Sequence, residues 1–161
     1  MPTRSGPAHG GPDRLLDRSW ERPTAKDWAD VLAGLPLFSR CRKRQLRKLA
    51  GLAQFKEFAP DSVIIQAGDA SNAFYLILSG QARVFGKPRA RLLGIGDYFG
   101  EMGLIDGEPR SASIAAVDEL QVMKLPRRPF LRLLEQEPGI GVAMLGELAR
   151  RVRNLEKSPA A

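Results

Sequence analysis

Apolar residues along this chain repeat with two different periods, and the period changes near residue 55. Trp28, Val31, Leu32 and Leu35 recur at i, i+3, i+4 and i+7, which is one face of a helix. Thr24 and Asp27 have the spacing of a capping box at its start, with Asp in place of the more usual Glu. Gly34 weakens the end of this helix and Pro36 stops it. Leu37 and Phe38 form an apolar knot, and Ser39 stands where it can cap a second helix with Leu46, Leu49, Ala50 and Ala53 inward. Beyond residue 55 the pattern is that of strands. Residues 55–59, 63–65, 74–78, 81–85 and 91–93 are short apolar or alternating runs between Gly- and Pro-containing turns. The run 74–78, FYLIL, is apolar throughout, so that strand is expected to be buried on both faces. Ser79-Gly80 after it reads as a hairpin turn.

Residues 111–116 and 120–125 supply two more strands, and helical spacing then returns. Pro126 opens a helix carrying Phe130, Leu131, Leu133 and Leu134, and Glu137-Pro138-Gly139 breaks it. The last helix presents Ile140, Met144, Leu145, Leu148, Val152 and Leu155 as a stripe. That stripe suits packing against the strands, or a dimer seam in its distal part. Short strands with frequent turns, flanked by helices, predict an α+β chain that is mainly β, built on an antiparallel sandwich or barrel.

Composition adds boundaries. A chain of 161 residues suits one domain with a real core. Residues 1–22 are rich in Gly, Pro and charge and read as a disordered tail, which leaves 23–161 as the domain. Within it, 23–54 are the N-terminal helices, 55–125 the strands and 126–157 the C-terminal helices. No run is long and apolar enough for a membrane span, and the N-terminus lacks the apolar core of a signal peptide. Cys41 stands alone, which excludes an internal disulfide and suits a reducing cytoplasm. Cys41 and His9 are too few for a metal site of ordinary ligand count.

Net charge is +7, and most of the excess lies ahead of residue 61. Residues 1–60 carry 12 Lys/Arg against 6 Asp/Glu, whereas 61–161 are nearly balanced. The densest cluster is Arg40, Arg42, Lys43, Arg44, Arg47 and Lys48. It reads first as a solvated helix face, and second as a surface for nucleic acid, acidic lipid or an acidic protein. It lacks interleaved aromatics, so stacking on single strands has no support.

The stretch with chemistry in it is 99–114, FGEMGLIDGEPRSASI. It reads as a turn, a short helix opening at Gly100-Glu101, a second turn at 106–109, and a strand from Arg110-Ser111. The first free N–H groups of a helix carry partial positive charge, and a glycine there lets an anion approach closely. Arg110 adds a charged planar fork for phosphate oxygens, and Ser111 a hydroxyl. Glu101 would repel a phosphate, but it can accept a hydrogen bond from a hydroxyl beside one, such as a ribose 2′-OH. These groups together describe a sugar phosphate of low charge, a cyclic nucleotide. Taken singly they have plainer explanations. A first-turn Glu suits the helix dipole, and Arg110 can simply pair with Glu101 or Asp106. The combination favours binding.

This string resembles the phosphate-binding cassette of the cyclic nucleotide-binding domain family, which includes kinase regulatory subunits, cyclic nucleotide-gated channels and catabolite-activator-type regulators. The resemblance implies an eight-stranded antiparallel jelly-roll β-barrel interrupted by the cassette. It implies ligand contact by Gly100, Glu101, Met102, Gly103, Arg110 and Ser111, with Glu101 on the ribose and Arg110 and Ser111 on the phosphate. The helix–LPLF–helix pattern before the strands is similar to the family's N-terminal part, although family members commonly carry acidic or neutral residues where this chain has its basic cluster. In the family the last helix is a lid. Leu104 and Ile105 would then pack on Phe130, Leu133 and Leu134 as a hinge, with Met144, Leu148 or Arg151 capping the base.

The expected function is a stand-alone regulatory module that binds cAMP, or cGMP, without a cofactor and signals occupancy to an effector protein. No helix-turn-helix is expected, because the chain ends soon after Leu155. No nucleophile–base pair or metal cluster with supporting context appears, so an enzyme is not expected. The rival readings are a scaffold that keeps the fold without a ligand, and an anion binder acting through the basic cluster.

Overall fold

The computed structural model describes residues 23–86 and 90–157. The expectation of a disordered 1–22 lies outside the described residues, as do Lys87 and Pro88 of one predicted turn. Helix α1 spans Ala25–Ala33 and is opened by the predicted box: Asp27 N–H donates to Thr24 Oγ1 at 3.2 Å, and Thr24 N–H to Asp27 Oδ2 at 2.9 Å. A 3-10 turn, Pro36–Phe38, buries Leu37 and Phe38 completely. Helix α2, Lys43–Ala50, begins later than Ser39 allows. Ser39 Oγ donates instead to Pro36 O at 2.8 Å, closing the 3-10 turn. The helix starts from Arg42, whose N–H donates to Gln45 Oε1 at 2.8 Å. The apolar knot displaced the cap, because burying Leu37 and Phe38 bends the chain before a helix can resume.

Strands follow as β1 Gln54–Phe58, β2 Val63–Ile65, β3 Ala73–Ser79, β4 Ala82–Phe85, β5 Arg91–Leu93 and β6 Tyr98–Phe99. Helix α3 is Glu101–Asp106, β7 is Ser113–Ala116 and β8 is Leu120–Pro126, and the described chain ends with α4 Arg127–Gln136 and α5 Pro138–Lys157. The strands pair antiparallel in two four-stranded sheets, ordered β1-β8-β3-β6 and β2-β7-β4-β5. They do not close into a barrel. Among the described residues no strand pairing joins the sheets, and the architecture is a sandwich.

Alternation along β3 explains the continuous apolar run. Ala73, Tyr75 and Ile77 point into the space between the sheets, with Leu120 and Val122 of β8 and Ile114 and Ala116 of β7. Phe74, Leu76 and Leu78 point the other way, into a second cluster with Met123, Leu125 and the helices. Strand β3, central in the first sheet, is therefore buried on both faces.

Two local expectations change. Ser79-Gly80 is not a hairpin turn, because β3 and β4 lie in different sheets. The chain crosses there at Gly80, whose φ is +89° and whose missing Cβ would fall 2.2 Å from Glu119 O. Only glycine meets both demands. The strand predicted over 111–116 starts at Ser113, because Arg110 is engaged elsewhere. The C-terminal stripe also divides. Ile140 and Met144 are buried in the helical cluster and Leu148 packs against it, while Leu145, Val152 and Leu155 face solvent.

Phe38 joins the layers. Its ring meets Phe74 of β3 at 6.5 Å and Phe130 of α4 at 6.4 Å, both edge-on. A fully buried aromatic at such a junction should be expensive to truncate. Phe38→Ala is expected to lower unfolding free energy by about 3–5 kcal/mol, read as a shift of the urea midpoint at unchanged slope.

Candidate functional site

An open cleft of about 830 Å³ lies between the second sheet and the segment 99–112. Gly100, Glu101, Met102, Gly103, Arg110 and Ser111 all line it, so the structure brings the six predicted residues to one surface. Ile65, Val84, Leu93 and Ile114 give it an apolar wall, and Tyr98 and Arg151 enter from the side of the helices.

The local geometry follows from two glycines. Gly100 caps α3 in the left-handed region, at φ +83°, so the chain turns sharply from β6 into the helix. A Cβ there would strike Arg110 Nη1 at 2.4 Å and Ala73 O at 2.6 Å. Gly103 has no room either: its Cβ would meet Ser71 Oγ at 2.3 Å. These glycines let α3, Arg110 and the end of the β2–β3 connection occupy the same small volume.

Arg110 is anchored at both backbone groups. Its N–H donates to Asp69 O, and its C=O accepts from Gly68 N–H, each at 2.8 Å. Its Nη2 donates to Ala73 O at 2.5 Å. No carboxylate among the described residues pairs with it. Burial pushes its pKa below the ordinary arginine value, and the neighbouring Tyr75 phenol works in the opposite direction. The Tyr75 hydroxyl is in turn raised by burial, partly offset by Arg110. The guanidinium thus faces the cleft as a cation held by a neutral carbonyl.

Glu101 is buried, at 7% exposed, and it is engaged. Arg151 of α5 bonds Glu101 Oε1 through Nη1 and reaches Glu147 Oε1 through Nε at 3.4 Å. Arg150 takes Glu147 with two further bonds, at 2.5 and 3.0 Å. Glu147 is 2% exposed. Its pKa is lowered to about 2, chiefly by the hydrogen bonds from Arg150, against a burial effect of opposite sign. For Arg151, burial works against the charge, but Glu101 and then Glu147 outweigh it and the pKa rises. The Tyr98 hydroxyl beside them is raised by burial and then by Glu101.

The resemblance implied Met144, Leu148 or Arg151 as the cap over a base. Met144 is buried in the helical cluster, and Leu148 packs against the same cluster. Neither lines the cleft. Arg151 does, but its guanidinium sits on Glu101. Leu104 and Ile105, expected as part of a hinge, share the helical cluster with Phe130, Leu133 and Leu134. Glu147 went unread, although Ile140, Met144, Glu147 and Arg151 follow each other at helical spacing and mark the inward face of α5. Ser71, Ala73 and Tyr98 carried no comparable signal. The basic cluster remains largely exposed, and two of its members meet one acid of the C-terminal helices. Lys48 bonds Glu137, Arg44 lies 3.6 Å from the same oxygen, and Arg40 packs beside Gly146 of α5.

Residues 55–137 match the family model described as the cyclic nucleotide-binding domain. The chain belongs to this family. A cAMP-dependent protein kinase regulatory subunit of Colletotrichum orbiculare is 34% identical over 129 residues, covering 78% of this chain and 32% of that protein. A cyclic AMP receptor protein of Thermus thermophilus is 33% identical over 131 residues, covering 78% and 61%. The N-terminal domain of a transcriptional regulator from Streptomyces coelicolor A3(2) superposes with a TM-score of 0.71 at 25% identity, over 82% of this chain and 96% of that one. This cyclic nucleotide-binding domain thus spans about a third of the kinase subunit and under two thirds of the receptor protein. These relatives bear the names of regulatory proteins. No helix among the described residues is long and apolar enough to cross a membrane.

The acid–base balance around α5 has a direct consequence. Glu147 has a folded pKa of about 2 against an ordinary 4.5, so its ion pairs stabilise α5 fully above the ordinary value and are lost as pH falls toward the folded one. Thermal melts between about pH 5 and about pH 2 should therefore show a falling melting temperature. In Glu147→Gln the melting temperature is expected to start lower and to slope less over the same interval.

Proposed function

We propose that this domain is a regulatory module that binds a cyclic nucleotide, cAMP in preference to cGMP, and signals occupancy to an effector protein through α4 and α5. The observation that carries the reading is Arg110, a half-buried guanidinium that faces the cleft with no carboxylate partner among the described residues. Such a cation is stabilised when an anion arrives, and a phosphate oxygen pair fits its fork. Glu101, Gly100, Met102, Gly103 and Ser111 complete the ligand surface in this proposal, with Glu101 accepting from the sugar hydroxyl. The names of the relatives, a cAMP-dependent kinase subunit and a cyclic AMP receptor, favour cAMP. The strand order supports reading the sandwich as a jelly roll. The module is read as a binding protein and not an enzyme, acting in the cytoplasm.

Arg151 gives the signalling step a physical form. It is the residue of α5 that reaches the cleft, and it bonds the proposed sugar acceptor. A ligand that stabilises Glu101 in place also stabilises α5 over the cleft, and linkage requires the converse.

The test is calorimetry with cAMP and with cGMP on the wild type and on Arg110→Ala. Binding to the wild type is expected, tighter for cAMP, with Arg110→Ala weaker by about 2–4 kcal/mol because the phosphate loses its cation. No heat and no thermal shift at millimolar concentrations of either nucleotide would remove the reading. Equal affinity in Arg110→Ala would remove the role of Arg110.

A further inference from the structure

The connection between β2 and β3 holds the cassette more tightly than any motif in the sequence announces. Gly68 and Asp69 bond Arg110 on both sides of its main chain, and Ala73, the first residue of β3, accepts from its guanidinium. One side chain of this connection bonds the cassette among the described residues. Ser71 is 7% exposed, and its hydroxyl donates to Glu108 O at 2.5 Å. The same side chain fills the space left by the absent Cβ of Gly103, which would lie 2.3 Å from Ser71 Oγ and 3.6 Å from Arg110 Nη1. Ser71 therefore touches α3 on one side and the turn two residues before Arg110 on the other.

We propose that Ser71 is a positioning residue for the phosphate site: it braces α3 and the 106–109 turn together and so fixes where the Arg110 guanidinium stands. This rests on the reading of Arg110 as the phosphate ligand. The physical reasoning is short. Arg110 is approached by neutral groups only, so no ion pair locks its orientation, and its place depends on the main chain that carries it. That main chain leaves α3 at Gly107, a glycine in the left-handed region, and passes Glu108 and Pro109 before reaching Arg110. Glu108 O is the acceptor midway along this short span, and Ser71 is what it accepts from. Without the hydroxyl, Arg110 keeps its main-chain bonds to Gly68 and Asp69, but the turn before it loses its side-chain tie to the β2–β3 connection at Glu108 O. The guanidinium then samples positions in which it cannot meet two phosphate oxygens at once, and bidentate bonds are sensitive to such misplacement.

Ser71→Ala removes one oxygen and adds no volume. It is expected to weaken cAMP binding about five- to tenfold, the loss of one well-placed hydrogen bond. The double-mutant cycle with Arg110→Ala decides the route. If Ser71 acts through Arg110, Ser71→Ala changes affinity less than about twofold in the Arg110→Ala background. An equal loss in both backgrounds, or no loss in the wild-type background, overturns the proposal. Hydrogen exchange of the amides of 108 and 110–112 in the protein without nucleotide gives a second readout that needs no ligand. Faster exchange there in Ser71→Ala, with amides 82–85 unchanged, supports the brace, and unchanged exchange at these four amides overturns it. Should the wild type bind neither cyclic nucleotide, the proposed function fails while this exchange comparison still judges Ser71.

Discussion

A guanidinium placed half inside a protein without a counter-charge constrains everything near it. Removing a charge from water costs several kcal/mol unless other groups replace the solvent. Arg110 receives that replacement from the backbone: one carbonyl on its side chain, and two further bonds that hold its main chain to the β2–β3 connection. Neutral acceptors orient a cation without cancelling it. The positive potential therefore remains in the cleft, which a carboxylate partner would have extinguished. Gly100 and Gly103 exist for the same reason, since a side chain at either would fill the space that the guanidinium and its braces need.

Burial of β3 on both faces converts this local arrangement into a global one. One face of β3 packs against the second sheet, which carries the cleft wall, and the other packs against the helices. Leu104 of α3 is fully buried in the helical cluster with Phe130 and Leu133 of α4. A displacement of the cassette helix is thus resisted by, or transmitted to, the packing of α4. Close-packed apolar surfaces deform poorly, so small movements tend to become rigid-body steps of whole helices.

Much of this was legible in the sequence, and what was not has definite causes. The capping box at Thr24, the doubly buried run in β3 and the gathering of the six cassette residues along one cleft were readable because each rests on contacts within a few positions, or on a pattern every member of which is local. The sheet assignment of β4 was not, since Ser79-Gly80 suits a hairpin and a crossover equally, and only the approach of Glu119 O to Gly80 distinguishes them. Ser39 lost its capping role to the burial of Leu37 and Phe38, a tertiary demand that overrides a local preference. The inward face of α5 was misread by choosing Leu145 over Glu147. Hydrophobicity ranks leucine as the core residue, yet a carboxylate is accommodated there once two arginines satisfy it.

That last misreading bears on how α5 is held to the cleft. An apolar residue at position 147 would offer Arg151 no acceptor beside Glu101. A carboxylate instead holds Arg151 in reach of Glu101, so the docking of α5 depends on the charge of a residue that the proposed function places on the ligand surface. Glu101 cannot be left buried and unpaired, and Arg151 cannot leave it without that cost appearing. A sugar hydroxyl bonded to Glu101 does not neutralise it, so Arg151 is still required when a nucleotide is present. Under the proposed function, ligand and helix therefore add to one another at this carboxylate instead of competing for it, which is the sign of coupling that signalling through α5 requires.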